Sequence, residues 1–255
     1  MANENVNIFN RGGVATADQA VFDAGLRAHM VRVYNYMASG LALSGIVAFA
    51  LFNFEGLASV FFDVRVLPGG RTVVAGLNML GWVAILAPIG LLLLVSFRAA
   101  KMSVGSIQAV YWTVTALMGV SLSLLLFRYT GASVARTFFV TAAAFGALSL
   151  YGYTTKRDLT AMGKFLFMGV VGLVLASIVN MIWPSGTMSF VISAAGVLIF
   201  SGLIAYDTQH IKNQYAEAWG TDALEKIAIF GALSLYLNFV NLFQFLMSFM
   251  GQEKE

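Results

Sequence analysis

The chain has no cysteine, only three prolines among its 255 residues, and only 11% charged residues. Without cysteine, disulfides, thiolate metal sites and cysteine nucleophiles are excluded together. The scarcity of charge excludes more, because a water-soluble domain covers its surface with about a quarter charged residues. A second absence concerns chemistry. No Walker loop, no Gly-x-Gly-x-x-Gly and no metal-ligand cluster occurs, and neither His29 nor His210 lies within an apolar run at the depth of Ser121, so a membrane serine nucleophile lacks its base. No second acid accompanies Asp207 within an apolar run, which rules out a proton-sharing carboxylate dyad of the aspartic-protease kind. No enzyme and no cofactor are expected. Residues 1–32 carry no apolar segment followed by a cleavage site, so no removed signal peptide is expected either.

What is present is apolar: 59% of the residues, with a mean hydropathy of +0.81. The composition predicts an all-α polytopic membrane protein. The net charge of +3 and pI near 9.2 are no nucleic-acid signature, since the basic residues sit in short loops between apolar runs. Charge-free runs fall at 33–54, 72–97, 102–127, 137–155, 165–206 and 227–252. The run 165–206 is 42 residues long, about right for two crossings at roughly 20 residues each, with Trp183-Pro184-Ser185-Gly186 as the turn. Seven transmembrane helices follow, within a domain spanning 33–252. Before it, residues 1–32 form a tail in which Thr16 and Gln19 fit a capping box, and Phe22, Leu26, Met30 and Val33 repeat at helical spacing. This reads as a short amphipathic helix on the membrane surface, or else as a disordered tail. The long first connection, Asn53 to Thr72, carries Pro68-Gly69-Gly70 as its turn, Glu55, Asp63, Arg65 and Arg71 as its charges, and an apolar Phe61-Phe62 patch suited to the membrane surface.

Ten of the fifteen Lys and Arg residues fall on the side of the N-terminus and the even-numbered loops. The N-terminus is therefore expected in the cytoplasm, with the C-terminus opposite unless the last run is re-entrant. Small residues four apart, Gly40/Ser44, Ala142/Gly146, Gly172/Ala176 and Ser201/Ala205, are assigned to close helix packing.

Asp207 lies where the double apolar run ends. One reading is that a span stops at its first charge. Against it, an anion at a helix C-terminus faces the negative end of the dipole, whereas carboxylates at membrane depth tend to line ion or proton paths. The last span supplies a complement: Ser234, Asn238, Asn241, Gln244 and Ser248 lie on one face of an otherwise apolar helix. Such a stripe must point inward, as interhelical hydrogen-bond glue or as the lining of a polar path.

Five segments, VFDAGLRAHMVRVYNYMASG (21–40), GWVAILAP (81–88), MGVSLS (118–123), FSGLIAYDTQHIK (200–212) and GALSLYLNFVNLF (231–243), resemble the Bax-inhibitor (transmembrane Bax-inhibitor-motif) family in its bacterial branch. The resemblance implies a fold with the last helix central and the other six around it. It also implies location in a bacterial inner membrane and a pH-sensitive calcium leak gated by two aspartates on spans six and seven. Asp207 matches the first; the second falls at position 238, where this chain has asparagine. An aspartate facing an amide cannot share a proton as two carboxylates do. One carboxylate with amide and hydroxyl oxygens makes a weak Ca²⁺ site, which suits passage of a permeant ion. The expected gate is thus Asp207 with Asn238, Ser234, Asn241 and Gln244, held closed by a cation such as Arg98. The rival expectation is a non-conducting stress or regulatory protein that binds membrane partners such as proteases.

Overall fold

The computed structural model describes residues 4–66, 72–218 and 223–254; the turn at Pro68-Gly69-Gly70 and the charge of Arg71 lie outside the described residues. The elements in order are α1 (Glu4–Asn53), α2 (Glu55–Phe61), β1 (Phe62–Val66), β2 (Thr72–Leu77), α3 (Met79–Arg98), a short 3₁₀ turn, α4 (Val104–Arg128), α5 (Gly131–Thr154), α6 (Thr160–Ile182), α7 (Gly186–Ala218) and α8 (Leu224–Met250). Seven of these helices are long and apolar enough to cross a bilayer. The starts of α3, α4 and α5 are set by polar caps: Asn78, Ser103 and Thr130 each accept from the backbone N–H three residues on. Apart from the 53–79 connection the links between spans are short, and successive spans run antiparallel. One end of the bundle holds the 98–104, 154–160 and 218–224 connections, hereafter the near end; the other holds 53–79, 128–131, 182–186 and the C-terminal tail.

α8 is the axis. Ala228, Ile229, Ala232, Leu235, Tyr236 and Met247 are fully enclosed, and α1, α4, α5 and α7 pack against it. α3 leans on α4 and α6 on α7, so these two form an outer layer whose apolar side chains, such as Trp82, Leu93, Phe167 and Met181, face outward. Outward apolar faces are what a lipid solvent requires.

The first helix is one rod from Glu4 to Asn53, with no start at Thr16; Gln19 donates to Asp23 Oδ1 instead of closing a capping box. Its span from Gln19 is 35 residues, about 52 Å at helical rise, against a hydrocarbon core of about 30 Å. The spaced residues Leu26, Met30 and Val33 are buried in the bundle core and Phe22 packs against Tyr215, so this apolar face is turned to protein.

Three expectations are corrected. Span two begins at Met79, not residue 72, because 72–77 is β2, paired antiparallel with β1 from Phe62↔Leu77 to Val66↔Thr72. Phe62 does not rest on a membrane surface: it is enclosed with Leu51, Ala58, Ala84 and Val120, edge-on to Phe127. Asp207 is not at a helix end, since α7 continues for eleven residues to Ala218. α8 is an unbroken 27-residue helix, not a re-entrant one. Beyond it, Thr130 N donates to Gln252 O and Lys254 N to Arg128 O, fixing the tail at the end opposite the start of α1.

The small-residue pairs divide. Ser44 Oγ meets Thr115 O and the Tyr236 hydroxyl, each at 2.6 Å, joining α1, α4 and α8. Ala205 packs on Gly152, where a Cβ would lie 2.2 Å from Ala205 O. Gly146 and Gly172, by contrast, have nothing within 4 Å of a built Cβ and mark no close crossing.

Candidate functional site

Asp207 stands eleven residues before the end of α7, and Ser234 ten residues after the start of α8. Because the two helices are antiparallel, equal offsets bring them to the same depth, about 15 Å in from the near ends of the helices. Ser234 Oγ donates a short hydrogen bond to Asp207 Oδ2, and Asn238 Nδ2 donates to the same oxygen at 2.7 Å. Oδ1 has no hydrogen-bond partner among the described residues, and the carboxylate lines a cavity of about 1390 Å³. The cavity lies between α3 and α6, with α7 and α8 as its floor; Asn241 lines it as well.

The stripe on α8 does three different things. Ser234 and Asn238 hold the carboxylate. Asn241 donates back to Leu237 O in its own helix, and Ser248 accepts from Ser193 Oγ at 3.0 Å, which is interhelical glue. Gln244 is half-buried and does not line the cavity.

Arg98 does not guard the site. It is exposed at the end of α3, and Asp207 forms no salt bridge among the described residues. The cation that shares the cavity is Lys164, four residues into α6. Its signal was in the sequence: Lys164 and Asp207 bracket the charge-free double run, and a hairpin brings both brackets to one end. His210 is exposed and stacks on Tyr206 at 5.6 Å rather than pairing with Asp207. Tyr206 in turn covers Gly163, whose built Cβ would fall 2.4 Å from the ring, so α6 and α7 are close at the cavity's near end.

The other side of α7 is also fixed. Thr208 Oγ1 lies 3.0 Å from Ser149 Oγ, which lies 2.6 Å from the Tyr34 hydroxyl, a chain from α7 through α5 to α1. Gln209 accepts from Leu159 N and donates to Arg157 O, tying α7 to the α5–α6 connection. Together these contacts set the rotation of α7 that turns Asp207 into the cavity. Among the described residues no group of three or more His, Cys, Asp or Glu could hold a metal tightly. One free carboxylate oxygen with nearby amides and hydroxyls can engage a cation only in passing.

A model of the family described as "Inhibitor of apoptosis-promoting Bax1" matches residues 26–255. The chain belongs to the Bax-inhibitor family. Relatives of this Bax-inhibitor chain include an uncharacterized protein of Caulobacter vibrioides, 50% identical over 98% of this chain and 100% of that one. The inner membrane protein YbhL of Escherichia coli K12 is 40% identical over 91% of this chain and 94% of its own length. An uncharacterized membrane protein of Streptococcus pyogenes is 34% identical over 90% and 95%. The span count and the family agree that this Bax-inhibitor protein resides in a membrane.

Proposed function

We propose that the chain is a passive calcium-permeable leak of a bacterial inner membrane, with the near end of the bundle in the cytoplasm and Asp207 as its gate. The observation that carries this reading is the state of the carboxylate: half-buried about 15 Å in from the near ends of the helices, in no salt bridge among the described residues, bound on one oxygen and open on the other. A structural stop would not need such a group, because desolvating an unpaired carboxylate is costly and is normally tolerated only at functional sites. The hydrogen bonds from Ser234 and Asn238 hold α7 to α8 in the closed arrangement. A cation reaching Oδ1 competes with these donors, and a proton on the carboxylate removes the charge that attracts it, so pH and calcium act on the same contact. The excess of Lys and Arg at the near end supports its cytoplasmic placement.

The test is calcium entry into dye-loaded liposomes containing the purified protein. Entry faster than in protein-free liposomes, and varying with pH, is expected. Equal rates would leave a membrane protein that does not conduct.

A further inference from the structure

The lateral cavity is far more apolar and more extended than an ion site needs. Along α6 its lining runs from Gly163 to Met181, about 27 Å at helical rise, close to the roughly 30 Å depth of the hydrocarbon core. Its volume of about 1390 Å³ exceeds the roughly 300–1,000 Å³ of ordinary small-ligand pockets. The walls, including Ile89, Leu93, Phe167 and Val174, are exposed, and of the 23 residues of α6 only Gly163, Leu166 and Leu173 are buried. A groove with such walls, open toward the surroundings of a membrane span, is not filled by water, since apolar cavities stay dry. It is filled by what surrounds the helices.

The charged side chains are confined to one end, with Ser177 and Asn241 the neutral polar residues farther along. Apart from Asp207 the only charged residue lining the cavity among the described residues is Lys164, which is exposed and sits where α6 begins. A lysine there can run its stem along the apolar wall and present its ammonium at headgroup level. That ammonium complements a phosphate, while Asp207, deeper in, repels one and keeps the headgroup at the rim.

We propose that this groove is a binding site for an anionic phospholipid, with an acyl chain lying between α3 and α6 and the phosphate on Lys164. The occupant is a bilayer lipid, because the walls are reached from the hydrocarbon. A chain so placed covers the approach to Asp207; that consequence rests on the gate reading above, whereas the binding itself does not.

The experiment is native mass spectrometry of the full-length protein in detergent, titrated separately with phosphatidylglycerol and phosphatidylcholine. Wild type is expected to bind phosphatidylglycerol about fivefold more tightly, the contribution of one lysine at an anionic lipid surface. Lys164→Gln is expected to lose the preference, while Lys101→Gln, the same charge change at the same end outside the cavity, keeps it. Val174→Trp, which fills the groove from its wall, is expected to weaken both lipids, with thermal melting confirming that it folds. Unchanged preference in Lys164→Gln, or unchanged binding of both lipids in Val174→Trp, would overturn the proposal. Because no flux is read, a protein that binds lipid but leaks no calcium sinks only the gate, and one that leaks without this binding sinks only the lipid site.

Discussion

Asn238→Asp is the most informative single change. The Asn238 amide nitrogen is 2.7 Å from Asp207 Oδ2. An aspartate in the same rotamer would bring a carboxylate oxygen to that distance in place of a donor. Two full charges so close repel by about 6 kcal/mol at an effective dielectric constant of about 20. A coupling worth about 1.4 kcal/mol already separates two protonation steps by a pH unit. The variant pair must therefore hold one proton between its two carboxylates over a wide pH interval, whereas the wild-type site has a single carboxylate with fixed donors. Calcium entry into liposomes, recorded from pH 5 to 9, should gain a second pH step in Asn238→Asp, and infrared difference spectra should show a protonated carboxyl absent from wild type. A pH profile superimposable on wild type would refute the contact between positions 207 and 238 and with it the account of the gate.

Other expectations concern what holds the site in place. Gly152→Leu would drive a Cβ to 2.2 Å from Ala205 O and force α5 from α7, costing at least about 1–3 kcal/mol, whereas Gly146→Ala, with open space at its Cβ, should melt like wild type in detergent. Tyr236→Phe removes one hydrogen bond to Ser44 and should cost only about 0.6 kcal/mol, while Ser44→Ala leaves both the Tyr236 hydroxyl and the Thr115 carbonyl without this partner and should cost more; paired thermal melts decide. In the α5–α6 connection, hydrogen bonds from Thr160 hold the Asp158 carboxyl below the usual carboxylate range. A depressed folded value means that its stabilisation is complete above the unfolded range and is lost as pH falls through the lower folded value. Asp158→Asn should therefore alter the melting temperature at neutral pH and converge on wild type in acid.

Much of this arrangement was legible in residue order. The seven spans followed from charge-free runs because lipid tolerates little else, and the central position of the last helix followed from the resemblance carried by 231–243. The β-hairpin was missed although Phe62-Asp63-Val64-Arg65-Val66 alternates with a period of two, because the apolar run 72–97 swallowed β2 and its partner was read as loop. The depth of Asp207 was missed for a related reason: the end of an apolar run was taken for the end of a helix, yet α7 carries His210, Lys212 and Glu217 beyond it on a segment that reaches out of the hydrocarbon. Because α7 is that long, Asp207 lies far enough from its end to meet Asn238 within α8. Arg98 lies at the near end but does not line the cavity; the packing of α6 on α7 brings together Lys164 and Asp207, the two charges that bracket the double run.

The central claim is that calcium passes by way of the open oxygen of Asp207, and flux through Asp207→Asn beside Asp158→Asn tests it most directly. A unit charge acting on an ion at about 4 Å is worth about 4 kcal/mol at an effective dielectric constant of about 20. Asp207→Asn, nearly isosteric and still able to bond Ser234, should thus slow calcium entry at least about tenfold and flatten its pH dependence, while Asp158→Asn, which removes a carboxylate outside the cavity, should leak like wild type. Equal rates and equal pH profiles in all three proteins would contradict the account.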